Sequence, residues 1–196
     1  SVSPALEGLH DIFIPKRRPS REPMPLMNVS DRIGTTAIEI PPEKIVAIVF
    51  TEKHDSASTI LPPDAETAAI AGPLIDSFGA EIAQGRLTES LMPIQAGIGT
   101  IANAVVSGLN EGPFKHLTMY SEVLQDSTFE LFDSGKLDFA SGSSITVSEA
   151  KGREVFGNIE RYKDRLVLRP QEVSNHPEVV RRLGIIAINT ALEFDI

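Results

Sequence analysis

Short apolar runs recur along this chain with gaps wide enough for a helix between them, and that alternation constrains the fold more than any other feature. Residues 91–95, 117–120, 139–147, 166–168 and 185–188 each read as strands. Residues 44–50 (KIVAIVF) form a continuous apolar run rich in β-branched side chains, which predicts a strand buried on both faces. Between these runs the period changes from two to 3.6. Ala68, Ala71, Ile75, Phe78 and Ile82 fall on one helical face behind Asp64, a suitable N-cap, with Gly85 as the stop. Pro73 interrupts that pattern and predicts a kink or a delayed start. Further helices are expected from the Gly97-Ile98-Gly99 turn to about Leu109, and over residues 149–164. Ser127 with Glu130, and Asn175 with Glu178, have capping-box spacing; Gly135 and Gly184 follow as stops. Strand–helix alternation of this kind predicts α/β layering around a mainly parallel sheet.

Composition narrows the function. A net charge of −9, from 27 acidic and 18 basic side chains, argues against a general nucleic-acid binder, because phosphate contacts need a basic footprint. No apolar run is long enough for a membrane-spanning helix. With no cysteine there are no disulfides or thiolate metal sites, and His10, His54, His116 and His176 are scattered, so a metal site is not expected. Residues 15–25 hold four prolines and the basic side chains Lys16, Arg17, Arg18 and Arg21. Proline removes a donor and restrains its predecessor, so an extended, solvated surface connection is expected there. A polar loop is expected over residues 51–63.

Two segments carry chemistry. Residues 93–105 (PIQAGIGTIANAV) read as strand, glycine turn and helix. Glycines admit close backbone approach and a helix N-terminus offers free N–H groups, the parts of an anion or oxyanion site, although an unliganded tight turn has the same pattern. The spacing is neither a Walker loop nor a full dinucleotide fingerprint. In residues 117–126 (LTMYSEVLQD), Glu122 lies where a strand ends, the place at which open parallel sheets bind ligands. A carboxylate there can serve as nucleophile, general base or metal ligand, or be a solvated loop residue. No Ser/His/Asp or Cys/His set accompanies it, which leaves carboxylate-based chemistry.

Together, QAGIGTIANAV and YSEVLQD resemble the acetyl-CoA hydrolase/transferase family, class I coenzyme A transferases. The likeness continues through Leu168-Arg169-Pro170-Gln171, through residues 174–184 (SNHPEVVRRLG), and upstream through Gly8-Leu9-His10-Asp11-Ile12 and Asp31-Arg32-Ile33-Gly34. Ala102-Asn103 and the YSEVLQD string are similar to the succinate/acetate branch. The resemblance implies a CoA-transferase fold of the NagB/RpiA-like type. Residues 1–40 would close an N-terminal CoA-transferase domain and cross over, and residues 41–196 would begin the C-terminal domain. The family's chain is longer, so an internal piece is expected, with further segments of the same enzyme as partners.

The implied activity is ping-pong transfer of CoA between acetyl- or succinyl-CoA and acetate or succinate. Glu122 would be the nucleophile, passing through a glutamyl-CoA thioester, and the N–H of Ile98 the oxyanion donor. Gly97, Ile98, Gly99, Thr100, Ile101, Ala102 and Asn103 would border the CoA chain. CoA enters as substrate, and no permanently bound cofactor or metal is expected. A homo-oligomer is expected, in the cytoplasm or, for a eukaryotic source, the mitochondrial matrix. Two alternatives stand: hydrolysis of acetyl-CoA by the same glutamate, and a non-catalytic acyl-CoA-binding domain that keeps the turn without needing Glu122.

Overall fold

The structure, a computed structural model, describes residues 4–53 and 64–191. Five strands form one sheet in which every neighbouring pair is parallel: β1 (Ile94–Ala96), β2 (Leu117–Tyr120), β4 (Leu137–Gly142), β6 (Leu166–Leu168) and β7 (Ile186–Ile188), in the order β6-β4-β2-β1-β7. A second, two-stranded parallel sheet pairs β3 (Val123–Leu124) with β5 (Ser144–Ile145). The connecting helices are α1 (Ala65–Ala83), α2 (Thr100–Gly108), α3 (Asp126–Asp133), α4 (Glu149–Gly157), α5 (Gln171–Ser174) and α6 (Pro177–Leu183). The expected α/β architecture with a mainly parallel sheet is therefore present.

Alternation along β2 shows how the layers form. Met119 packs into a core shared with Val105, Leu109, Phe129, Phe132 and Leu166, beneath α2 and α3. Its neighbour Tyr120 points the other way, into a second core with Met24, Leu26, Val173, Val179 and Leu183. Each fully buried Leu or Phe in these cores contributes about 1.5–3 kcal/mol. The Tyr120 hydroxyl donates to Val173 O at 2.6 Å, tying α5 beneath the sheet.

α1 begins as its sequence requires, with the Asp64 carboxylate accepting the Thr67 N–H at 2.8 Å. The helix runs from Ala65 through Pro73, so its start is not delayed by the proline. Gly85 and Gly184 do take positive φ after their helices, at 71° and 65°.

Several expectations need correction. Residues 45–50 are not a buried strand: they are exposed, belong to no helix or strand and pair with no strand among the described residues, with Lys44 in a short 3-10 turn (Pro42–Lys44). The apolar run has no neighbour among the described residues to pair with or pack against. The strand expected over residues 91–95 starts three residues later, because Leu91 sits in a turn with φ 53°. The expected strand 139–147 is two strands in different sheets, and the helix 149–164 ends at Gly157 and continues as 3-10 turns. Neither capping box forms. α3 begins at Asp126, which places Ser127 inside the helix, and α6 is preceded by His176 without a side-chain cap. Of the loop expected over 51–63, residues 54–63 (His54 among them) lie outside the described residues.

The segment before residue 36 is stapled to one edge of the large sheet. His10 bridges to Leu168, and Asp11 accepts the N–H groups of Ile33 (3.0 Å) and Gly34 (2.6 Å). Asp11 also pairs with Arg169, which donates further to Ser141 Oγ at 2.8 Å, to Val29 O at 3.2 Å and to Asp31 O. Burial lowers the Arg169 pKa from its ordinary value and the nearby Asp11 carboxylate pulls it back up; arginine stays charged throughout. Lys16 pairs with Glu22 at 2.8 Å within the exposed proline-rich connection.

Candidate functional site

All five strands of the large sheet are parallel, so their C-terminal ends share one edge, where each chain segment turns off toward a helix. The glycine turn leaves β1 there, Glu122 leaves β2, Arg169-Pro170-Gln171 leaves β6 and Asn189 leaves β7. The register fixes how the first two meet. Ile94 lies opposite Met119, so the two strands run out side by side, and Gly97 follows Ala96 as Glu122 follows Ser121. Ser121 fastens the two ends: its hydroxyl donates to Ala96 O at 3.0 Å, and the Ala96 N–H points back to it at 3.3 Å.

Glu122 is half-buried and its carboxylate is held by two side-chain amides from the β6–α6 connection. Gln171 Nε2 donates to Oε1 at 2.5 Å, and Asn175 Nδ2 donates to Oε2 at 3.1 Å. Each oxygen thus has its own donor, which sets the plane of the carboxylate. The Glu122 carbonyl accepts the N–H groups of Ser143 (2.7 Å) and Ser144 (3.1 Å), anchoring its backbone to the β4–β5 junction.

In the glycine turn, the N–H of Gly97 goes to Ile188 O at 2.9 Å and that of Gly99 to Gln125 Oε1 at 3.4 Å. Gln125 completes the clamp by donating from Nε2 to Gly97 O at 3.0 Å. The intervening Ile98 N–H has no hydrogen-bond partner among the described residues. Its side chain is 74% exposed. Gly99 has φ 129°, a conformation that side-chain-bearing residues rarely adopt. At Gly97 an added Cβ would lie 2.5 Å from Oδ1 of Asn189, the end of an exposed side chain that can swing aside, and 3.5 Å from Ile188 O.

The seven expected CoA-bordering residues do not share one environment. Ile98 and Gly99 face outward, and Gly97, Thr100 and Ile101 are half-buried. Ala102 and Asn103 turn into the core, where the Asn103 side-chain oxygen accepts the Ser127 N–H at 3.2 Å. Gln171, Gln125 and Ser121 were not singled out by the sequence. Beside the Glu122–Asn175 contact is a cavity of about 240 Å³ lined by Gln95, Tyr120, Ser174, Asn175, Val180 and Ile185, among others. Among the described residues no group of three or more His, Asp or Glu side chains could hold a metal, and no helix is long and apolar enough to cross a membrane.

No family model matches the chain. Among curated proteins, the acetyl-CoA hydrolase of Saccharomyces cerevisiae is 47% identical over 196 residues, covering all of this chain and 37% of that protein. The acetyl-CoA hydrolase of Neurospora crassa is 47% identical over 193 residues, 98% of this chain and 37% of that one. That of Schizosaccharomyces pombe is 46% identical over the same shares. The chain therefore spans little more than a third of the length of these relatives. Among solved structures, RipA from Yersinia pestis aligns over 68% of this chain and 30% of its own, with TM-score 0.51 and 16% identity, a likeness of fold. Along its whole length, at identity near one half, the chain is thus similar to one region of proteins named acetyl-CoA hydrolase.

Proposed function

We propose that the protein carrying these residues transfers coenzyme A from acetyl- or succinyl-CoA to a small carboxylate, with Glu122 as nucleophile. The observation that carries this reading is the Glu122 carboxylate, fixed through both oxygens by Gln171 and Asn175 at a strand end next to the glycine turn, whose Ile98 N–H has no partner among the described residues. Glu122 attacks the acyl carbonyl, the tetrahedral oxyanion collapses, and CoA leaves as the thiolate, giving an acyl-glutamyl anhydride. The thiolate then attacks the glutamyl carbonyl and expels the acid, leaving a glutamyl-CoA thioester. An incoming carboxylate reverses both steps. A carboxylate suits this path because each intermediate remains an activated acyl group. Each step passes through an oxyanion, and a preorganised N–H such as that of Ile98 is worth on the order of 3 kcal/mol to it.

A second reading is supported by the name of the curated relatives, acetyl-CoA hydrolase. Water would take the place of the second carboxylate and hydrolyse the glutamyl-CoA. Both readings share Glu122, and one experiment tests the nucleophile for both. The full-length enzyme is treated with acyl-CoA and digested, and its peptides are weighed. A CoA adduct on Glu122 is expected, removed by borohydride reduction. Turnover with the adduct on another residue would exclude Glu122. CoA release with and without added acetate or succinate then separates transfer from hydrolysis.

A further inference from the structure

Residues 45–50 combine three properties that do not belong together on a free surface. The chain leaves the preceding 3-10 turn in extended conformation at Ile45, with φ −86° and ψ 103°, and residues 46–50 form no helix or turn. Every side chain is apolar, so as a strand the segment would present Val46, Ile48 and Phe50 on one face and Ile45, Ala47 and Val49 on the other. They are also bare: Val46 is 99% exposed, Phe50 91% and Val49 85%. Ile38 and Ile40, just upstream, are exposed as well. A segment of this kind has the composition of a strand covered on both faces, and left open it is a site for association.

We infer that residues 45–50 are a docking strand, covered by polypeptide of the same protein lying outside these 196 residues, which offers a strand edge and an apolar layer. The curated relatives supply the occupant's source: the match takes in 37% of their length, and the majority of each has no counterpart in this chain. A second copy of the same segment fits less well. Two such strands paired with each other would satisfy one backbone edge and leave both apolar faces in water, and an isolated two-stranded ribbon is at best marginally stable. Cover from a layered domain satisfies edge and faces together. Among the described residues the outer edge of β7 is also unpaired, so the large sheet has room for further strands. This inference stands apart from the chemistry at Glu122.

The test is amide hydrogen exchange on the full-length protein, read by mass spectrometry on peptides spanning residues 45–50. Exchange is expected to be slowed at least ~100-fold relative to an unstructured peptide, as for backbone that opens only with its domain. The slowing should be equal at about 1 and about 50 µM protein, since an occupant within the same chain is indifferent to concentration. Exchange at the unstructured rate would overturn the inference. So would protection that appears only at the higher concentration, which would identify a second copy. In the same protein, Val49→Asp and Val46→Asp charge opposite faces, and each should lower the melting temperature by several degrees. Unchanged melting for both would also count against cover on two faces.

Discussion

The side chain of Gln125 closes on the backbone of Gly97 across the opening of the glycine turn, donating to its carbonyl at 3.0 Å while accepting the Gly99 N–H on its other atom. Gln125 is buried, so neither bond is exchanged with water. Gln125 thus engages the Gly99 N–H while Ile188 O takes that of Gly97, and the Ile98 N–H between them has no partner among the described residues. Removing this clamp should loosen the turn. Gln125→Ala is expected to cost about 1–3 kcal/mol in urea denaturation, the usual range for stranded buried partners. It should lower kcat/KM for acyl-CoA by at least ~10-fold through the displaced donor. Stability lost with kcat/KM unchanged would show that the turn has no part in the chemistry.

The amides on Glu122 make a second prediction. Gln171 and Asn175 are exposed and contribute little to the core, so replacing either should spare folding. Gln171→Ala leaves Oε1 without its donor and frees the carboxylate to rotate, and a reduction in kcat of ~10-fold is expected from a misaimed nucleophile. Gln171→Glu should be worse, because a second carboxylate would stand beside the first. Glu122→Ala should abolish turnover. If Asp126→Ala abolished it instead, with Glu122→Ala active, the roles would be reversed. The Asp126 carboxylate is already engaged with the N–H and hydroxyl of Ser148, at 2.8 and 2.6 Å, which argues against that outcome.

Much of this arrangement was legible in the sequence, and what was not has physical reasons. Residues 166–168 read correctly because a strand covered on both faces is apolar throughout, and residues 117–120 because Leu117, Met119 and Tyr120 are buried around the half-buried Thr118. The Gly97–Gly99 turn and Glu122 were legible as sequence motifs, but Gln171 and Asn175 were not. α5 is a single turn after Pro170, too short for any periodicity, and Asn175 was expected to cap a helix. Its amide instead reaches a residue 53 positions away, a partner that only the parallel crossover supplies. Ser127 and Glu130 failed as a capping box for a similar reason. Tertiary partners compete for both, since the Ser127 N–H goes to Asn103 and the Glu130 carboxylate accepts the Ser107 hydroxyl at 2.9 Å. Residues 44–50 show the converse, a strand composition with nothing beside it among the described residues.

Alkaline titration gives a third prediction. The chain has two tyrosines, Tyr120 and Tyr162, and burial pushes both phenols up to about 12. Arg169 partly opposes the rise at Tyr120, while the hydrogen bond to Asp133 adds to it at Tyr162. A phenol whose folded pKa lies above its unfolded value stabilises the fold in full below pH ~10 and loses that contribution as pH rises toward 12. The tyrosinate absorbance of this chain should therefore show no step near pH 10 while the protein is folded. A step at that pH from native protein would mean that at least one ring is solvated.

The glycine turn separates a backbone role from a packing role. Gly99→Val should reduce acyl transfer more than it reduces stability, because φ 129° is strained for a β-branched residue and the turn must shift to relieve it. No atom crowds an added Cβ at that position, so the loss comes from conformation and not from collision. Ile98→Ala should be mild, since its exposed side chain packs little and its N–H is retained. Equal losses of activity in both variants, matched by equal losses of stability, would make this an ordinary strand-to-helix turn.

Arg169 provides the last prediction, one that joins stability to the site. Its guanidinium is buried and contacts Asp11, Ser141 Oγ, Val29 O and Asp31 O, so four separate positions converge on a single side chain. Two residues further along, Gln171 reaches Glu122. Arg169→Met would leave the Asp11 carboxylate buried without its counter-charge, and about 3–5 kcal/mol of stability should be lost, as when one member of a buried pair is removed. Arg169→Lys should recover little, because one ammonium on a flexible stem cannot span partners arranged for a planar fork. Among molecules that remain folded, the Lys variant should keep KM while kcat falls, since the displaced segment carries Gln171 and not the glycine turn. Urea denaturation and steady-state kinetics on the same preparations read both effects. Wild-type kcat in an Arg169→Lys protein that has lost stability would uncouple the buried cluster from the carboxylate and confine Arg169 to holding residues 8–35 against the sheet.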